Sequence, residues 1–150
     1  MKNNIVIYTD GACKGNPGEG GWGVYIELHS VSKKIYGYEE NTTNNRMEIT
    51  AAIEALNELD VKSDVLLYTD SKYLMEGINS WIKNWKLNNW KTSAKKDVKN
   101  ADLWKKIDEL NSLHNIEWKW VKGHSGDFGN EMADNLANLA IVKKGKKNYE

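Results

Sequence analysis

The tripeptides Tyr8-Thr9-Asp10 and Tyr68-Thr69-Asp70 each close an unbroken apolar run, Ile5 to Tyr8 and Val65 to Tyr68. Short runs of this kind read as strands covered on both faces in the middle of a sheet. The helix-length segment between them suits a crossover that lays the second strand parallel to the first. Parallel neighbours then deliver both aspartates to one sheet edge, outside the strands' carboxyl ends, where ligands of open α/β sheets collect. Glu48 stands four, eight and eleven residues before Ala52, Leu56 and Leu59, which puts its carboxylate on or beside the face that packs against the sheet. Asp134 sits among Ala133, Ala137 and Ile141 and is expected in the first turn of a last helix, where the helix dipole favours an anion.

A lone acid usually caps a turn or joins a salt bridge. Several acids buried together are different: each raises the others' pKa unless a cation neutralises them, and the only arginine is Arg46. A metal ion is the simpler neutraliser, and oxygen donors without a Cys or His cluster select Mg²⁺ or Mn²⁺ over zinc. Two such ions about 4 Å apart are the standard device for in-line phosphodiester displacement. His124 lies in the glycine-rich segment VKGHSGDFGNE. Alone it reads as a solvated loop residue; beside four acids it becomes a candidate to take or hand on a proton near neutral pH.

The elements that must position these groups follow from the same pattern. GACKGNPGEGG, with five glycines and the chain's one proline, predicts an irregular loop that permits close backbone approach. Residues 22–28 and 33–39 read as a hairpin, a capped helix starts at Thr43 and ends near Asp60, and 71–87 and 100–112 read as helices. Residues 116–121 alternate like a fifth strand, and Met132, Leu136, Leu139 and Ala140 mark the final helix. The expected fold is α/β, a five-stranded mixed sheet with helices on both faces. It forms one domain over 1–142, followed by a Lys-rich tail, 143–150, that should fray.

At 150 residues the chain supports one core, and its 40% hydrophobic and 28% charged composition suits a soluble globular domain without a spanning segment. Cys13 is the one cysteine, so no internal disulfide or thiolate zinc site is available. The first ten residues lack a secretory pattern, and a cytoplasmic setting is expected. Net charge is zero, but residues 1–80 carry 7 basic and 12 acidic side chains while 81–150 carry 14 and 9. Residues 81–100 hold six lysines against one acid, interleaved with Trp81, Trp85 and Trp90, which suits a polyanion with stacking surfaces.

Taken together, YTDGACKGNPGEGGWG, TTNNRMEITAAIEAL, YTDSKYL, WIKNWKLNNWKT, VKNADLW and VKGHSGDFGNEMADNLA resemble type 1 ribonuclease H, the enzyme that cuts RNA in RNA/DNA hybrids. The resemblance covers roughly residues 5–142. It implies that Asp10, Glu48, Asp70 and Asp134 bind Mg²⁺ (or Mn²⁺), two ions with substrate bound, and that His124 assists proton transfer or product release. It further implies that Cys13, Asn16, Asn44 and Asn45 line the minor groove, where amides can pair with 2′-hydroxyls. Thr43 and Asn84 would hold a DNA phosphate, and Trp81, Trp85, Lys86 and Lys91 would grip the DNA strand. Lys72 stands where the best-known bacterial members have a glutamine, and a lysine favours phosphate over a base edge. The partner implied is the hybrid itself, acted on by a monomer with no obligatory protein partner, in primer removal and hybrid clearance.

Two alternatives use the same residues differently. An integrase- or resolvase-like enzyme would keep fold and metals but change substrate, against which the asparagines argue. A non-catalytic module would bind through the Trp–Lys segment alone, yet a pure polyanion binder gains nothing from clustered acids.

Overall fold

The computed structural model describes residues 5–145 and 147–149. Six strands, β1 (Ile5–Gly15), β2 (Gly18–Leu28), β3 (Val31–Thr42), β4 (Asp64–Thr69), β5 (Asn115–Trp120) and β6 (Lys147–Tyr149), form one sheet in the order β5-β4-β1-β2-β3-β6. β1 pairs parallel with β4 and β4 with β5, while β1–β2, β2–β3 and β3–β6 are antiparallel. The five expected strands make the mixed sheet, and β6 adds a short edge. The expectation of a frayed tail therefore fails over 147–149, which pair with Lys34–Tyr36 and use the unpaired N–H and C=O groups of an otherwise open edge. Lys146 and Glu150 of that tail lie outside the described residues.

The glycine-rich segment is not the irregular loop expected of it. β1 runs to Gly15 and β2 starts at Gly18, with a cis Asn16–Pro17 peptide in the turn. Glycine is used here for close approach. A Cβ on Gly11 would lie 2.6 Å from the Glu48 backbone nitrogen, and one on Gly23, the β2 partner of Asp10, would lie 2.3 Å from the Ala133 carbonyl oxygen. Because strand side chains alternate, these contacts place helix α1 (Asn44–Asn57) on one face and α5 (Phe128–Lys143) on the other.

The Thr43 hydroxyl caps α1 by accepting from the Arg46 N–H at 3.2 Å, as the sequence suggests. The helix expected over 71–87 is continuous but not uniform: α2 (Lys72–Glu76) and α3 (Ile82–Leu87) flank a π-helical turn, Gly77–Trp81. Gly77 in that turn lies flush on the ring of Trp104 from α4 (Ala101–Leu113), where a Cβ would sit 2.1 Å away. The main core lies on this side and contains Ile7, Met47, Leu56, Val65, Leu67, Trp104 and Ile107, all fully buried; each aliphatic side chain contributes about 1.5–3 kcal/mol. A smaller cluster of Tyr36, Leu136 and Ala140 lies under α5. The two apolar strands are accordingly buried completely on one face only. Val6, Tyr8, Leu66 and Tyr68 stay half-buried, since α5 packs over β1, β2 and β3 rather than β4.

Candidate active site

Thr9 pairs with Thr69 across β1 and β4, and the Tyr8 and Tyr68 rings stack at 5.0 Å, so Asp10 and Asp70 stand at one level of the sheet. Asp10 is still in β1 and 4% exposed; Asp70 is the first residue past β4 and half-buried. The Gly11 contact lets α1 settle onto β1 and brings Glu48, also 4% exposed, alongside. One carboxylate oxygen from each of Asp10, Glu48 and Asp70 lies within 4.8 Å of the other two. Asp134 reaches Asp10 from α5, close enough to share a hydrogen bond. It does not sit in the first turn, as expected. The Asp127 carboxylate caps α5 by accepting from the Asn130 N–H, which starts the helix at Phe128 and leaves Asp134 a turn further in, with Glu131 as the first-turn acid.

These carboxyls are crowded and dry. Burial, then the Asp70 charge, then hydrogen bonding with Asp134 and Asp70, push the Asp10 pKa up to about 9. Burial and the charges of Asp10 and Asp70 raise Glu48 well above the usual carboxylate range. Arg46 does not relieve them: its guanidinium forks onto the Asp102 carboxylate at 3.0 and 2.8 Å and donates to Asn100 Oδ1. Glu48 Oε1 is buried without a hydrogen-bond partner. An all-oxygen donor set, mutually repelling and with a buried oxygen unpartnered, fits a hard divalent cation.

His124 is exposed, in the left-handed region at φ 57°, within the loop over 121–127. Its neighbour Gly123 lies against Asp70, where a Cβ would be 2.7 Å from Oδ2. The loop histidine thus belongs to the same edge as the acids.

The residues assigned to the minor groove also converge. Asn16 Oδ1 accepts from the Asn44 N–H at 3.0 Å, and the Cys13 thiol donates to the Thr42 carbonyl at 3.4 Å. The β1–β2 turn is thereby tied to the start of α1, which carries Thr43, Asn44 and Asn45. The 81–100 segment is less simple. Trp81 and Trp85 pack on the buried Trp104 at ring separations of 6.4 and 5.6 Å, and Trp90 packs tilted against Trp85 at 6.2 Å. Lys86 pairs with Asp108 at 3.2 Å and Lys91 with Asp97, while Asn84 is exposed. Lys72 lies over the Trp120 ring, 5.2 Å from its centroid.

The RNase H family model matches residues 2–142. The ribonuclease H of Francisella tularensis subsp. novicida is 61% identical over 142 residues, spanning 95% of this chain and 93% of that one. The chain belongs to the RNase H family. It is an endoribonuclease, and the type 1 resemblance of its motifs holds. The ribonuclease H of Francisella philomiragia shows the same 61% identity and coverage. Among solved structures, LC9-RNase H1, a type 1 RNase H with the type 2 active-site motif, superposes with a TM-score of 0.88 at 30% identity, covering 98% of this chain and 76% of that one. LC11-RNase H1, solved in complex with RNA/DNA hybrid, gives 0.65 at 25% identity over 93% and 98%. No helix among the described residues of this RNase H is long and apolar enough to cross a membrane.

Sequence reasoning passes over three residues at this site: Trp120, Gly123 and Asn130. The close backbone approach expected of the glycine-rich segment is met at Gly11. The Asn130 side chain, fully buried and donating from Nδ2 to Asp70 Oδ2 at 3.4 Å, carries no sequence signal.

Proposed function

We propose that this RNase H hydrolyses the RNA strand of RNA/DNA hybrids with little sequence preference. Asp10, Glu48, Asp70 and Asp134 would hold two divalent ions, Mg²⁺ with Mn²⁺ as a substitute. One observation carries the reading: carboxylate oxygens of Asp10, Glu48 and Asp70 lie within 4.8 Å of one another, and among the described residues no cationic side chain pairs with them.

When bound, the ions supply charge that keeps the carboxyls ionised, acidifies water and steadies phosphoryl oxygens. The water oxygen bonds to phosphorus as the P–O3′ bond breaks in line, leaving a 5′-phosphate and a 3′-hydroxyl. One water proton leaves through His124 and the 3′ oxygen takes up another. Cys13, Asn16, Asn44 and Asn45 face the minor groove, where amides donate to and accept from the 2′-hydroxyls that mark the RNA strand. Reading that shape accounts for sequence tolerance. Thr43 and Asn84 hold a DNA phosphate, and Trp81, Trp85, Lys86 and Lys91 grip the DNA backbone. Lys72 reaches a phosphate. Exposed ion pairs are weak, so hybrid phosphates can displace Asp108 and Asp97 from Lys86 and Lys91. The same reading has the enzyme acting as a monomer in the cytoplasm, where the lone Cys13 stays reduced.

The test is a labelled RNA strand presented as RNA/DNA, as RNA/RNA and alone, beside a DNA/DNA duplex, each with Mg²⁺ and with EDTA. Cutting confined to the hybrid with Mg²⁺ is expected. DNA cutting would indicate an integrase-like substrate instead, and hybrid binding without any cutting would leave only a binding module.

A further inference from the structure

Asp70 differs from the other two clustered acids in how it is held. Asp10 lies within a central strand and Glu48 within a long helix, but Asp70 stands just beyond β4 and only half-buried. Its own strand does not fix it; its neighbours do. The Trp120 indole N–H, at the end of edge strand β5, donates to the Asp70 carbonyl at 3.1 Å. The Asn130 amide, in the first turn of α5, donates to Asp70 Oδ2 at 3.4 Å. Trp120 ends the strand before the His124 loop, Asn130 lies in the first turn of the helix after it, and Gly123 inside the loop lies flush on the same carboxylate oxygen. Three approaches to one aspartate therefore come from the two flanking elements and the middle of one loop.

Their chemistry points to placement. An amide N–H on a carboxylate oxygen selects one rotamer. A fully buried asparagine in an otherwise apolar helix packing surface is costly unless its amide is used. Trp120 is 44% exposed and contributes little to the core, yet its ring position is set from two sides, by the Asp70 carbonyl and by the Lys72 ammonium over its face.

We propose that Trp120 and Asn130 are positioning residues that fix Asp70 and, through it, couple the His124 loop to the metal site. The inference rests on reading Asp70 as a metal ligand. Asp70 thereby becomes the joint between two parts of the reaction: ions that draw on its carboxylate also set the stance of Gly123 and His124. Groups that hold a ligand from outside typically change metal affinity or activity by about 10–100-fold when removed.

The experiment is an amide NMR titration of the metal-free protein with Mg²⁺, comparing the parent with Trp120→Phe and Asn130→Ala. Trp120→Phe deletes the N–H but keeps an aromatic face for Lys72, and a half-exposed site tolerates the change should Asn130→Ala fail to melt cooperatively. The Mg²⁺ Kd is expected to weaken about tenfold or more in each variant. Gly123 and His124 amide shifts should follow Mg²⁺ in the parent and respond less in the variants. Steady-state kinetics on the hybrid should show kcat lowered and KM unchanged. A parental Kd in both variants, Gly123 and His124 amides indifferent to Mg²⁺, or a change confined to KM would overturn the inference alone. A parent protein that binds no Mg²⁺ would overturn the ligand reading of Asp70 beneath it.

Discussion

The carboxylate edge and the 81–100 segment are both dense in charge, and they are built on opposite terms. At the edge, like charges are driven together by the backbone: two strands in register, and a helix let in by Gly11. Among the described residues no cationic side chain pairs with them, which is a costly arrangement that a bound cation relieves. In the 81–100 segment the charges are exposed and several are already paired, while the tryptophans between them fasten α2, α3 and α4 together through Trp104. Buried charge against the grain of stability marks chemistry. Exposed charge among aromatics mixes packing with binding, and only perturbation separates the two.

The largest way to break this comparison is at the edge itself. Asp10→Asn is expected to lower hybrid cleavage by about a thousandfold or more, the scale of the several kcal/mol that bound metal charge supplies; a single-turnover assay with Mg²⁺ measures it. An active variant would remove Asp10 from the chemistry.

Next in size is the aromatic anchor of the other region. Trp104→Ala should destabilise the fold by about 3–5 kcal/mol in urea melts and loosen Trp81 and Trp85 from their seat. A loss far below that range would mean the tryptophan stack is not structural, and the segment would then be a binding surface throughout.

The lysines sharpen the same contrast. Replacing Lys95 and Lys96 with neutral residues should flatten the salt dependence of hybrid binding by up to about 0.9 in log–log slope for each phosphate no longer neutralised, with turnover at saturation kept. Replacing Lys86 and Lys91 should flatten it by a similar amount, because their exposed pairs with Asp108 and Asp97 yield to phosphate. A clearly smaller effect from Lys86 and Lys91 would show that those ion pairs persist on the hybrid.

A separate expected effect is a pH trend. Asp10 is raised to about 9 in the folded, metal-free protein, against about 3.9 for an unfolded aspartate. The folded state therefore holds the proton more tightly. The resulting stability is fully present below the unfolded value and is lost as pH rises through the folded one. In EDTA, the parent should lose stability relative to Asp10→Asn between about pH 4 and about 9, as urea midpoints at several pH values would show; a flat difference contradicts the raised pKa.

Much of the carboxylate edge is legible in the sequence because it depends on backbone periodicity. Two identical tripeptides that close apolar runs and an acid on an apolar helix face define it, and a register slip would expose those acids. The same logic places β4 beside β1 and caps α1 at Thr43. What escapes is decided by contact rather than period. The glycines from Gly11 to Gly21 read as an irregular stretch open to close backbone approach; α1 and α5 do lie where side chains on Gly11 and Gly21 would be, yet β1 and β2 run through the stretch as strands. Asp134 lies a turn deeper than spacing suggests because the Asp127 cap sits in a loop that periodicity does not resolve. The tail strand, 147–149, depends on an open β3 edge. The buried amide of Asn130, pointing at Asp70, has no sequence pattern of its own.

The most direct test of the central claim is a pair of urea melts, parent against Asp10→Asn, in EDTA and again in saturating Mg²⁺. Asn keeps an oxygen to accept the Gly11 N–H that Asp10 Oδ1 now receives at 2.9 Å, so the variant removes charge and little else. A repulsive metal site predicts that Asp10→Asn is as stable as the parent in EDTA, or about 1 kcal/mol more stable, and that Mg²⁺ stabilises the parent far more than the variant. A clear loss of stability in EDTA on Asp10→Asn, with no advantage to the parent from Mg²⁺, would mean that these acids hold the fold together instead.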